Sequence, residues 1–222
     1  MSVKRLIIIG AGGFGREVLA WARQCQECDV EWSPLGFIDD NLSALDGFDT
    51  KVKILGTVQD YEPGCDDVFI CAIGTPSYKR VAVEKIVSRG GRFINVVHPT
   101  SVIGERVVLG LGIILCPHAT LTSDIRVGDH SAFNLFTAIG HDAQVGSYCQ
   151  LHSYSEATGG VVLEDEVLLG THSTVLQNKR VGKGSIVGAG SVVLQNVAAG
   201  TTVAGTPAVP IWKKPSKDSG SN

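Results

Sequence analysis

Two hydrophobic rhythms divide this sequence. Over the first hundred residues, short apolar runs alternate with stretches of helical spacing. Residues 4–9 (KRLIII) read as a buried strand, and the pattern from Arg16 to about Gln26 as a helix. Residues 35–38 and 52–55 read as a second and a third strand, and 67–73 as a fourth. The spacing predicts a helix from Tyr78 to Arg89, stopping at Gly90-Gly91, and a last strand over 93–97. Strand and helix in alternation predict a small parallel α/β unit.

From residue 101 helical spacing disappears and a period of six replaces it. Stepping by six from Ile103 meets Leu109, Leu115, Leu121, Val127, Phe133, Ile139, Val145 and Leu151. The series runs on through Ala157, Leu163, Leu169, Val175, Val181, Val187 and Val193 without an insertion. Two residues before these lie Val107, Ile113, Ala119, Ile125, Ser131, Thr137, Ala143 and Cys149, mostly small or aliphatic. Residues two apart on a strand share a face, so both sets point inward. This is the hexapeptide repeat of a parallel β-helix, in which three units close one triangular coil and coils stack on a continuous aliphatic column. Gly often follows the inward position, as at Gly104, Gly128, Gly140 and Gly146, where it is expected to ease the turn. The expected division is 1–97 for a Rossmann-like head, 98–212 for the β-helix and 213–222 for a disordered polar tail.

Composition agrees with small, tightly turned units: 27 Gly, only 6% aromatic and 44% hydrophobic residues. The net charge of −3 with no basic stripe argues against nucleic acid as a partner. The apolar run at residues 6–9 is too short for the roughly 7–15-residue core of a signal peptide, and no stretch nears the ~18 apolar residues of a membrane span. Cys25 and Cys28 form a C-x-x-C, but no second pair or nearby His completes a metal site. No metal is expected, and reduced thiols in the cytoplasm are the simplest reading of the 6 Cys.

Two places carry candidate chemistry. Gly10-Ala-Gly-Gly-Phe-Gly15 matches G-x-G-x-x-G between a strand and a helix, a context that suits a phosphate at a helix N-terminus. A head of about 95 residues is short for two mononucleotide halves, so a sugar nucleotide is favoured over a dinucleotide cofactor such as NAD or a bare structural turn. Asp39-Asp40 ends the second strand, where a ribose-binding acid would sit. Among the 6 His, His98 precedes a Pro, His118, His130 and His172 fall at turns, and His152 has no acid beside it. His141 lies at a turn between Gly140 and Asp142. A neutral imidazole can take a proton from an attacking amine, and a neighbouring carboxylate stabilises the imidazolium that forms. A solvated turn histidine is the bland alternative.

In these features the sequence resembles the bacterial nucleotide-aminosugar N-acetyltransferases of the left-handed β-helix class and the related sialic acid O-acetyltransferases. The likeness rests on the loop 9–15, on Phe37–Asp40, Ala72–Gly74, Ile139–Asp142 and Val203–Ala208. It implies an α/β Rossmann-like head followed by an all-β left-handed parallel β-helix, assembled as a homotrimer with active sites between subunits. It implies acetyl-CoA as co-substrate and a nucleotide sugar held by the head. His141 and Asp142 correspond to the catalytic pair, although relatives often carry Glu in the second place. Gly12, Gly13, Phe14, Asp39, Asp40, Asn41, Ile73, Pro76 and Asn134 correspond to substrate contacts. Gln150, Gly159, Thr171, Ala189, Gly205 and Pro207 correspond to acetyl-CoA contacts, with His common at the first of these and Gly at the place of Ala189. The implied activity is N-acetylation of a 4-amino-4,6-dideoxy sugar on GDP or UDP, GDP-perosamine being favoured, for a surface polysaccharide. O-acetylation of a sugar and a non-catalytic binding role are the alternatives.

Overall fold

The computed structural model describes residues 3–26 and 30–213. Cys28 and nearly all of the polar tail lie outside them, whereas Cys25 is buried. Among the described residues no helix is long and apolar enough to cross a membrane.

The head is one parallel sheet with the strand order β3-β2-β1-β4-β5. Its strands are β1 (Lys4–Ile9), β2 (Trp32–Ile38), β3 (Lys53–Ile54), β4 (Asp67–Cys71) and β5 (Arg92–Phe93). Helices α1 (Gly13–Cys25) and α2 (Pro76–Ser88) make the crossovers β1–β2 and β4–β5. Ile7, Ile9, Phe69 and Ile86 fill one side of the sheet, and Leu6, Ile8, Val18 and Phe37 the other, all buried. The pattern over 93–97 predicts one strand, but the structure divides it. Phe93 ends the head sheet, and Val96–Val97 pairs with Ile114–Leu115 in the solenoid. Asn95 causes the break: its amide donates to Gly110 O at 2.9 Å and accepts from Ile113 N at 2.9 Å, bonding sideways to the first coil.

The rest winds as a parallel solenoid with three faces, each strand pairing with the one 18 residues on, except Ile186–Val187, which pairs with Thr202–Val203. Face one runs from Val96–Val97 through Ala132–Phe133 to Thr201–Ala204. Face two runs from Val102–Ile103 to Val192–Val193, and face three from Val108–Leu109 to Arg180–Val181. The six-residue register holds throughout: from Leu115 to Val193 every sixth residue is buried. Antiparallel Val209–Lys213 covers the last coil.

The turns differ in one respect from the expectation. Gly104 and Gly140 are not left-handed; they stand where the next coil passes, and a Cβ would lie 1.5 Å from Thr122 O and 2.5 Å from Gly159 N. The left-handed residue comes two places later. It recurs every sixth position from Arg106 to Gly190, with φ between 57° and 69°, and at most of these positions it is not Gly. A lone residue pays roughly 1–2 kcal/mol for that conformation. The coil offsets it by tying the same N–H to the preceding turn, as from Asp142 to Ser123 O at 3.2 Å and from His130 to Leu111 O at 2.7 Å.

The head sits on face one. Ala11, Val18 and Leu19 share a core with the outward-facing Ile114 and Ala132. Lys79 of α2 is fully buried in the seam, donating to Cys149 O at 3.2 Å and Gln150 Oε1 at 3.0 Å. Burial lowers its pKa from 10.5 to about 8. The burial penalty on the ammonium therefore acts in full below pH 8 and is relieved as the pH rises from about 8 to about 10.5. The buried thiols Cys71 and Cys149, pushed up to about 11 and 12, act in the opposite sense but are common to wild type and variant. Denaturant melts should therefore show wild type gaining about 1–3 kcal/mol relative to Lys79→Met between pH 8 and pH 10. Parallel pH profiles would contradict this.

Candidate active site

His141 projects from the edge between faces two and three, in the turn joining Ala138–Ile139 to Gln144–Val145. Its Nδ1 lies 2.7 Å from Asp142 Oδ2. Adjacent strand residues would point apart; the left-handed Asp142, φ 61°, brings the carboxylate back onto the ring. Both side chains are 67% exposed, so the imidazole is held by the coil and open to a reactant. Backbone bonds fix the turn, with Gly140 N–H donating to Ala157 O at 2.8 Å and Gly160 N–H to His141 O at 2.7 Å. Gly159 lies beneath the ring, where a Cβ would stand 2.7 Å from His141 Nε2. Below Asp142 on the same edge, Arg106 pairs with Asp124 at 2.6 Å and holds that carboxyl below its usual range.

The second candidate feature, on the head, is the Gly-rich loop. Gly10 has φ +96°, and a Cβ on Gly15 would stand 1.9 Å from Gly10 O, so strand and helix can approach this closely only with Gly there. Gly12 and Gly13 face open space and are exposed at the start of α1. No side chain caps this helix and no acid stands in its first turn, leaving its positive end for a ligand. Asp39 is used to shape the loop, accepting from Ala11 N–H at 2.7 Å and Asn41 N–H at 2.8 Å. Asp40 accepts from Val58 N–H at 2.9 Å. Asp39, Asp40, Ile73 and Gly10 line one cleft of about 350 Å³.

The other expected residues are dispersed. Pro76 is buried at the first turn of α2. Asn134 lies at the seam, its Oδ1 taking Gln150 Nε2 at 3.4 Å. Gln150, expected at the acyl donor, is fully buried on face one, with its amide committed to Lys79 and Asn134. Thr171 and Ala189 are exposed on the edge between faces one and two, and Gly205 and Pro207 in the turn that follows face one. Of the expected acyl-donor contacts, only Gly159 adjoins His141. In a three-sided prism the edge between faces two and three lies opposite face one. The edge bearing His141 and the head of one chain therefore face away from each other. Lys79 and the cleft residues Tyr78, Val81 and Lys85 of α2 carry no motif; only the tertiary placement of that helix reveals them.

The family model described as the PglD N-terminal domain matches residues 5–86. GDP-perosamine N-acetyltransferase of Escherichia coli O157:H7 is 31% identical over 219 residues, covering 94% of this chain and 96% of that protein. Among solved structures, WeeI from Acinetobacter baumannii AYE superposes with a TM-score of 0.82 at 30% identity, covering 93% of this chain and 99% of that one. PerB from Caulobacter crescentus, in complex with CoA and GDP-perosamine, has the same fold, with a TM-score of 0.83 at 24% identity over 94% of this chain and 97% of its own.

Proposed function

Because this chain belongs to the bacterial nucleotide-aminosugar N-acetyltransferases of the hexapeptide-repeat class, we propose that it transfers the acetyl group of acetyl-CoA to the 4-amino group of a GDP-linked 4-amino-4,6-dideoxy sugar, GDP-perosamine foremost. The observation that carries this reading is the exposed His141–Asp142 pair, held at 2.7 Å on a rigid edge. The neutral imidazole accepts the proton of the attacking amine as nitrogen bonds to the thioester carbonyl. Asp142 orients the ring and stabilises the imidazolium, and backbone N–H groups hold the oxyanion. Collapse of the tetrahedral intermediate expels the CoA thiolate, which takes the proton from His141. An amide and a free thiol result.

The opposed placement of head and catalytic edge supports a site shared between chains in a homotrimer. A neighbour's head would present the sugar to His141, and a neighbour's edge bearing Thr171 and Ala189 would complete the acyl-donor groove with Gly159. Cyclic closure by three suits a triangular prism.

Incubation with acetyl-CoA and the GDP- or UDP-linked 4-amino sugar tests the reaction. One acetyl group on nitrogen, stable to hydroxylamine, with GDP preferred, is the expected product. A hydroxylamine-labile ester would establish sugar O-acetylation instead, and absence of turnover with either nucleotide would overturn the reading.

A further inference from the structure

The cleft beside the Gly-rich loop holds two opposite charges that do not meet. Its walls are apolar, formed by Val58, Ile73, Val81 and Ala82, and Asp40 and Lys85 both line it. Asp40 gives one oxygen, Oδ1, to Val58 N–H. Among the described residues its other oxygen has no hydrogen-bond partner and the half-buried Lys85 ammonium has no ion pair. A carboxylate and an ammonium that share an apolar cleft without touching suit a ligand that is flat, apolar on its faces and polar at two points on its edge. Tyr78, 70% exposed, also lines the cleft and can cover such a ligand with its ring. The cleft reaches Gly10, where the loop begins, so a nucleotide with its diphosphate over Gly12 and Gly13 would have its base here.

We propose that Asp40 and Lys85 select the nucleobase by its lactam edge, a ring N–H beside a carbonyl. The N–H donates to the free Asp40 oxygen and the carbonyl accepts from Lys85. Guanine presents N1–H beside O6, and uracil N3–H beside O4. Adenine and cytosine present the reverse, an amino group toward the ammonium and a ring lone pair toward the carboxylate. Guanine adds a 2-amino donor on the carboxylate side, which places GDP ahead of UDP. The inference rests on the nucleotide-sugar reading of the head and assigns Lys85 a specificity role within it.

Calorimetric titration of the full chain with GDP, UDP, ADP and CDP tests it. Wild type should bind GDP and UDP at least about 10-fold more tightly than ADP or CDP, because a misplaced donor leaves polar groups unpaired. Lys85→Met should lose about 10-fold for GDP with little change for ADP, and raise the sugar-nucleotide KM by a similar factor at constant kcat. Asp40→Asn keeps an acceptor for Val58 N–H but offers the base an N–H, so it should shift preference toward ADP and CDP. Equal weakening of all four ligands in Lys85→Met, or equal affinities in wild type, would overturn the inference and leave the nucleotide-sugar reading standing. Binding of none of the four by wild type would overturn both.

Discussion

Replacing His141 with Asn is expected to lower kcat by roughly 10²–10⁴-fold, with both KM values and the melting temperature staying near wild type. The separation of effects follows from the geometry. The imidazole is 67% exposed, and its one hydrogen-bonded side-chain partner is Asp142. Removing it opens no cavity in the core and leaves no buried group unpaired. Steady-state kinetics with a parallel thermal melt checks both halves. A kcat within a few-fold of wild type would remove His141 from the reaction. Gly159→Ala acts on the same atom from below, since its methyl would stand 2.7 Å from the ring Nε2 and must displace it.

The second large effect is expected at the loop of the head. Gly13→Asp puts a carboxylate where the diphosphate is to lie, and sugar-nucleotide saturation should disappear through repulsion and steric occupation. The fold should tolerate it, because nothing lies within 4 Å of a Cβ at Gly13 and an acid at a helix N-terminus is favourable by about 0.3–1 kcal/mol. Gly15→Ala should do the opposite. Its Cβ would meet Gly10 O at 1.9 Å, so strand and helix must separate and the head itself loses stability. Thermal melts with nucleotide titrations distinguish the two. A Gly13→Asp variant that still saturates with sugar nucleotide would place the diphosphate elsewhere.

The solenoid was legible from Ile103 to Val193 because apolar residues recur at a fixed six-residue step; in the structure they are buried from Leu115 on, while Ile103 in the first coil stays exposed. Its turns were less so. Left-handed positions occupied by Phe136, Tyr148 or Tyr154 have no residue preference to betray them, because the coil's hydrogen bonds impose the conformation. Residues 93–97 read as one strand because apolar character outweighs a single Asn, yet the side-chain bonds of Asn95 decide the break. At the site, His141-Asp142 and the glycines stood out as local motifs; the structure sets the Asp142 carboxylate 2.7 Å from the ring and leaves Gly12 and Gly13 facing open space, and their roles are those proposed above. What the sequence did not show at Gln150 is its burial: the ammonium of Lys79, some 70 residues away in sequence, takes its amide oxygen. Lys85 was hidden in the same way: on a helix it reads as a solvated charge, and only the packing of α2 against the sheet brings it into the cleft that Asp40 also lines.

In the proposed assembly one chain's His141 serves another chain's head. Trimers reassembled from equal amounts of His141→Asn and Gly13→Asp subunits test it most directly, since each parent alone is inactive. A shared site pairs an intact head from one subunit with an intact histidine from the next, and the mixture should recover about a quarter of wild-type acetyl transfer. A mixture as inactive as its parents would place the head and His141 of each site on the same chain and contradict the account.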